Sequence, residues 1–220
     1  TAASPWARGE DEGSLSFQLS AEAAPVDIAE GVWEPETYGS LYIEYGLGHR
    51  FTLGGDFGAG ETAQQAVTFL RYPLTPPDAT WQFAVDGGIG MRVVEDESAQ
   101  ALVRLGASVG RGFGAGGGAW PMPMQHEGGW ITLQALAYYN IDLEEPFWQL
   151  EGTAGLRLSN RLAAVFSLKV EEWPDSDLLM SAAPSLVFDL TDRTSIRGGA
   201  QAQLLGQSSV GLTLSIWHEF

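Results

Sequence analysis

The sequence predicts an all-β protein: a transmembrane, up-and-down antiparallel β-barrel of about twelve strands. Three observations carry that expectation. About twelve segments alternate apolar and polar side chains with a period of two residues. Helical periodicity never wins over a long window, and turn-forming clusters punctuate the segments. The final segment shows the pattern most plainly. Val210, Leu212, Leu214, Ile216, His218 and Phe220 share one face, and Gly211, Thr213, Ser215, Trp217 and Glu219 share the other.

Residues 1–13, TAASPWARGEDEG, are short, polar and turn-rich, and are expected to form an N-terminal tail or lid rather than wall. From Ser14 onward the segments fall at 14–22, 40–48, 50–58, 64–73, 79–93, 99–111, 129–142, 147–158, 162–172, 178–190, 195–205 and 209–220. Each has roughly the length that crosses a bilayer as a tilted strand, so 14–220 reads as one barrel.

Apolar side chains of one parity define the outer face of most segments. They are Leu15, Phe17 and Leu19 in the first, then Leu41, Ile43 and Tyr45, then Trp81, Phe83, Val85, Ile89 and Met91. Val103, Leu105 and Val109 continue the series, followed by Ile131, Leu133 and Tyr139, and by Leu150 and Leu156. Leu162, Phe166 and Leu168 precede Leu186, Phe188 and Leu190. The segments at 50–58, 64–73 and 195–205 are recognised by the other face, through Asp56, Arg71, Arg197, Gln201 and Gln203.

Turns are expected at Gly48-His49-Arg50, Thr75-Pro76-Pro77-Asp78, Ser159-Asn160-Arg161 and Thr191-Asp192-Arg193-Thr194. The alternate connections carry acidic tips: Glu95-Asp96-Glu97, Asp142-Leu143-Glu144-Glu145, and Asp175 with Asp177. Residues 112–128, GFGAGGGAWPMPMQHEG, form a long Gly-rich connection on the side where short turns belong. That segment is either a plug or a place where the strand count fails.

Composition narrows the class further. The chain has 220 residues, 45% of them hydrophobic, 8 Trp, 28 Gly, no Cys and a formal net charge of −17. Without cysteine there is no disulfide framework, thiolate metal site or cysteine nucleophile. No apolar run is long enough for a transmembrane helix, a test that strand-built membrane proteins never pass. A basic footprint for nucleic acid is missing. Clusters of aromatic residues near strand ends (Tyr72, Trp81, Trp130, Tyr139, Trp148, Trp173, Phe220) suit an interfacial girdle. They favour a membrane barrel over a soluble, lipocalin-like one.

A chain that ends on an aromatic residue, at the close of such an alternating strand, resembles bacterial outer-membrane β-barrel proteins. The resemblance implies a Gram-negative outer membrane, both termini in the periplasm and an export signal removed before Thr1. It also implies lipid and lipopolysaccharide as neighbours, and assembly machinery that reads the strand ending at Phe220. No subfamily is marked, and a protein partner stays open.

The polar face is nearly neutral, so its charges are expected to pair. Candidate constriction residues are Arg71, Asp86, Arg92, Arg104, Glu151, Arg157, Lys169, Asp189 and Arg197. If Leu158 faces Leu162, Glu151 lies opposite Lys169; if Leu190 faces Ile196, Asp189 lies opposite Arg197. Structural charge pairs and a field-bearing eyelet are the two readings, and pairing is the default for enclosed ions.

The leading expectation is a narrow, non-enzymatic channel for small solutes or ions, with no cofactor and no metal. The alternative is a closed barrel that meets a partner through its loops or tail. A lipid-modifying enzyme ranks last. Its family type uses a Ser–His pair, and His49, His126 and His218 have no such partner in the sequence. Gly110-Arg-Gly-Phe-Gly-Ala-Gly-Gly-Gly lacks the ending of a phosphate loop, and the acidic tips lack a complete calcium-ligand pattern.

Overall fold

Period-two alternation leaves each segment one lipophilic face, and only sheet closure satisfies its backbone without an edge. The computed structural model closes in that way. It describes residues 5–32, 34–94, 98–116, 126–174 and 176–220. The strands are β1 (Gly13–Ala23), β2 (Glu36–Gly48), β3 (Phe51–Gly60), β4 (Ala63–Pro73), β5 (Gln82–Val94) and β6 (Gln100–Gly116). They continue as β7 (His126–Asn140), β8 (Glu145–Ser159), β9 (Leu162–Glu172), β10 (Leu179–Asp189), β11 (Thr194–Leu205) and β12 (Val210–Glu219). Each pairs antiparallel with the next in sequence, and β12 returns to β1 to close the ring. Among the described residues one short helix, α1 (Pro25–Ala29), stands in the connection between β1 and β2.

The seam runs from Ser14↔Glu219 to Ala23↔Val210. It is locked at its end by Gly13 and Phe220, whose amides and carbonyls exchange hydrogen bonds at 2.8 and 3.0 Å. At the same end, His49 and Arg50 make a two-residue turn with φ of 51° and 70°. Two successive left-handed residues match the twist of a tight hairpin.

Two registers refine the sequence reading. Glu151 does pair with Lys169, although Ser159 rather than Leu158 meets Leu162, because Leu158 is the extra residue of a bulge. The pairing of Asp189 with Arg197 is incorrect. Asp189 faces Ser195 and Arg197 faces Val187, a shift of two residues. The cause lies in the turn: Thr191 Oγ1 accepts the amides of Arg193 and Thr194, so the chain reverses early and Leu190 bonds to Thr194. The Gly-rich connection also shortens. β6 runs to Gly116 and β7 starts at His126, which leaves only 117–125, outside the described residues.

The outer surface is apolar. Ile89 is 71% exposed, Leu212 65% and Leu105 64%, while Arg71, Arg104 and Glu44 are buried inside. Hydrocarbon, not water, is the solvent such a surface fits. Tyr72, Trp81, Tyr139, Trp148 and Phe220 sit exposed near strand ends. Trp130 and Trp173 depart from the expected girdle, because both pack into clusters of buried side chains.

Candidate functional site

The inward positions of β2 to β6 build a packed ionic cluster. Arg71 donates to Glu44, and its Nη2 donates to the Tyr42 hydroxyl at 3.0 Å, which itself donates to Glu44 at 2.6 Å. Asp86 lies 3.8 Å from Arg71 Nε and 3.0 Å from Arg104 Nη2, and Arg104 Nη1 reaches within 3.8 Å of Asp56. Phe69 fills the middle, with the guanidinium carbons of Arg104 and Arg71 at 4.1 and 5.2 Å from its ring centre. Gly54 makes this packing possible, since a Cβ there would stand within the Phe69 ring. With both arginine side chains only 1% exposed, these charges brace one wall and leave little surface to a solute.

The opposite wall is looser and richer in hydroxyls. Thr153 and Ser167 share a hydrogen bond of 3.1 Å, and Arg197 donates to Ser185 at 2.8 Å. Lys169 is one-third exposed (34%) and pairs with Glu171 at 2.8 Å rather than with its cross-strand neighbour Glu151. Arg157 pairs with Asp189 at 3.2 Å. Asp56, whose side chain is 33% exposed, lies 3.8 Å from Arg104 Nη1. β3 and β9 stand six places apart in the twelve-strand ring, so Asp56 and Lys169 belong to opposite walls of the bore. The nine candidate residues therefore separate into braces (Arg71, Asp86, Arg104, Arg197) and accessible charges (Glu151, Arg157, Lys169, Asp189), with Arg92 near the far mouth.

At the mouth away from the termini, Tyr138 and Phe147 stack at 4.7 Å and 4°, and Phe147 stacks on Trp173 at 4.9 Å and 26°. The Arg92 guanidinium lies 4.6 Å from the Trp173 ring centre. A cavity of about 740 Å³ opens beside this column, rimmed by Glu145, Glu172 and Asp177. The tips Glu95–Glu97 and Asp175 lie outside the described residues. Parity carried the signal for the missed aromatics: Tyr138 shares the face of Gln134, and Phe69 shares that of Arg71.

At the mouth with the termini, Trp130 and Trp217 pack on Ala163, Val165 and Val187, narrowing one side. Residues 5–12 turn inward on the other, with Pro5 buried. The histidines sit at this same end. His126 meets Phe113 edge-on at 5.6 Å, and His218 Nδ1 lies 2.9 Å from the Thr194 hydroxyl while its ring stacks on Phe220.

No family model matches the sequence, and no curated protein matches it significantly. Solved structures do match in shape. An outer membrane channel from Pseudomonas putida F1 has a TM-score of 0.63 at 10% identity, over 100% of this chain and 99% of that one. The KdgM porin, in complex with disordered oligogalacturonate, has a TM-score of 0.61 at 8% identity, over 94% and 99%. Outer membrane phospholipase A from Escherichia coli has a TM-score of 0.50 at 13% identity, over 94% and 90%. The chain has the fold of outer-membrane β-barrel proteins, a fold that hosts both channels and an enzyme.

Proposed function

We propose that this protein is a narrow, non-enzymatic channel for small solutes or ions in a Gram-negative outer membrane, with both termini periplasmic, and that it favours cations. The observation that carries the reading is that Asp56 on β3 and Lys169 on β9, six places apart in the ring, both stay open to solvent on the inward face. Charges spaced across a narrow polar passage act on whatever enters it.

The sign of the preference comes from the mouth away from the termini. Its six connections contain no lysine or arginine, yet hold Asp27, Glu30, Glu61, Asp142, Glu144 and Asp177 among their acids. Such a rim concentrates cations and repels anions. It disfavours a polyanion such as the oligogalacturonate found with the KdgM porin. Lipid and lipopolysaccharide are the proposed surroundings. The seam residue Phe220 is the proposed signal for assembly machinery.

The test is single-channel recording in planar bilayers under a potassium chloride gradient, with folded protein verified by its far-ultraviolet β spectrum. Discrete conductance with a reversal potential on the cation side is expected. Silence from folded protein, with residues 1–8 present and with them deleted alike, overturns the reading. It would favour the closed barrel that works through surfaces, for which the inward-folded residues 5–12 are the supporting observation.

A further inference from the structure

The wall has a shaped receptor for the segment that precedes it. On the inward face of β2, Gly46 leaves no room for a Cβ, because the Gly9 carbonyl oxygen stands in that space. On β6, Gly110 faces Pro5 and Trp6: a Cβ there would lie 2.7 Å from Pro5 Cγ and 3.0 Å from the Trp6 ring. A side chain at Gly46, or at Gly110 while Pro5 is in place, would push the segment out, so both glycines serve a close approach of backbone to backbone or ring.

The segment enters by a sharp reversal. Asp11 is left-handed with φ 61°, and the Glu12 amide donates to the Gly9 carbonyl at 3.1 Å. Asp11 and Glu12 pair with Gly46 through bonds of 3.1 and 2.9 Å, extending the sheet by one step. Beyond that hinge Arg8, the latch, supplies the charged contacts of residues 5–8 with the wall. Arg8 Nε sits 3.0 Å from the buried carboxylate of Glu44, its Nη1 lies 3.5 Å from Glu219, and its amide donates to Thr52 Oγ1 at 3.3 Å.

The latch is built to be released. Glu44 keeps Arg71 and the Tyr42 hydroxyl whether or not Arg8 is present, so its charge is never left unpaired. Ordering a short segment costs chain entropy, and a partly exposed ion pair such as that of Arg8 returns little against it. Opposite it, Trp130 and Trp217 already narrow the bore.

We propose that residues 5–12 are a displaceable plug that gates the channel at the mouth carrying the termini, with Arg8 on Glu44 as its latch. The proposal rests on the channel reading. Three variants are recorded beside the wild type in planar bilayers. Arg8→Glu places a carboxylate against Glu44 and expels the plug. A deletion of residues 1–8 removes it. Pro5→Cys with Gly110→Cys fastens it, in a chain that has no other cysteine. Pro5 Cγ already stands near the site that a bridging sulfur would occupy.

Arg8→Glu and the deletion are expected to raise open probability several-fold. The oxidised double-cysteine form is expected to lose conductance and regain it with reductant. Wild-type conductance that neither variant nor the cross-link alters overturns the plug and leaves the channel standing. Silence from wild type, Arg8→Glu and deletion alike, with folding verified, overturns both. A silent wild type beside a conducting deletion supports the plug.

Discussion

Asp86 and Arg104 sit on adjacent strands and share one oxygen: Asp86 Oδ1 accepts from Arg104 Nε at 3.1 Å and lies 3.0 Å from its Nη2, with both side chains withdrawn from solvent. Removing one partner strands a buried charge, which typically costs about 3–5 kcal/mol, whereas removing both is nearly neutral. Arg104→Met should therefore shift denaturant unfolding in detergent by about that amount, and Arg104→Met with Asp86→Leu should recover most of it. An Arg104→Met midpoint equal to wild type would show the pair to be idle.

Gly54 predicts a second stability effect. A methyl at this position meets the Phe69 ring that separates the two arginines. Overpacking of this kind costs about 1–3 kcal/mol. Gly54→Ala should lower the unfolding midpoint, and adding Phe69→Leu should restore part of the loss. Equal midpoints for Gly54→Ala and wild type would mean that the ring moves aside freely.

Strand number, order and most boundaries were legible in the sequence because period-two alternation is local and the backbone obeys it directly. The Glu151↔Lys169 register was legible for the same reason, since the bulge at Leu158 absorbed the mistaken neighbour without moving the strands beyond it. Asp189 and Arg197 were not, because the Thr191 side chain sets the length of that turn and two residues decide every pairing above it. The split of the lumen charges into braces and accessible groups was also hidden. It depends on Phe69 being drawn between Arg71 and Arg104, a contact among neighbouring strands that no single strand reveals.

Orientation in hydrocarbon makes a third prediction. Ile89 stands midway along β5 and is 71% exposed on the outer face. A lipid-facing arginine near the midplane of a barrel costs about 2–4 kcal/mol. Ile89→Arg should unfold more readily than wild type in lipid bilayers by that margin. If water solvated this face, the change would be within the noise of a surface substitution.

Lys169 supplies the fourth. Its ammonium is about one-third exposed and pairs with the buried Glu171, so a neutral Gln, whose amide can still donate to that carboxylate, is the replacement. Lys169→Gln should move the reversal potential further toward the cation side while single channels keep their wild-type stability. An unchanged reversal potential would place the solute path away from β9.

Rim and bore separate by salt, which is the last prediction. The acids of the connections, among them Asp142 and Glu144, stand at the surface, where screening acts over about 30 Å at 0.01 M but only about 3 Å at 1 M ionic strength. Charges enclosed in the bore are screened much less. If the rim sets the cation preference, the permeability ratio falls steeply as salt rises, and Asp142→Asn with Glu144→Gln lowers it at low salt while leaving it unaltered at high salt. A ratio that holds constant from low to high salt would move the selectivity from these acids to Asp56, Glu151 and Lys169.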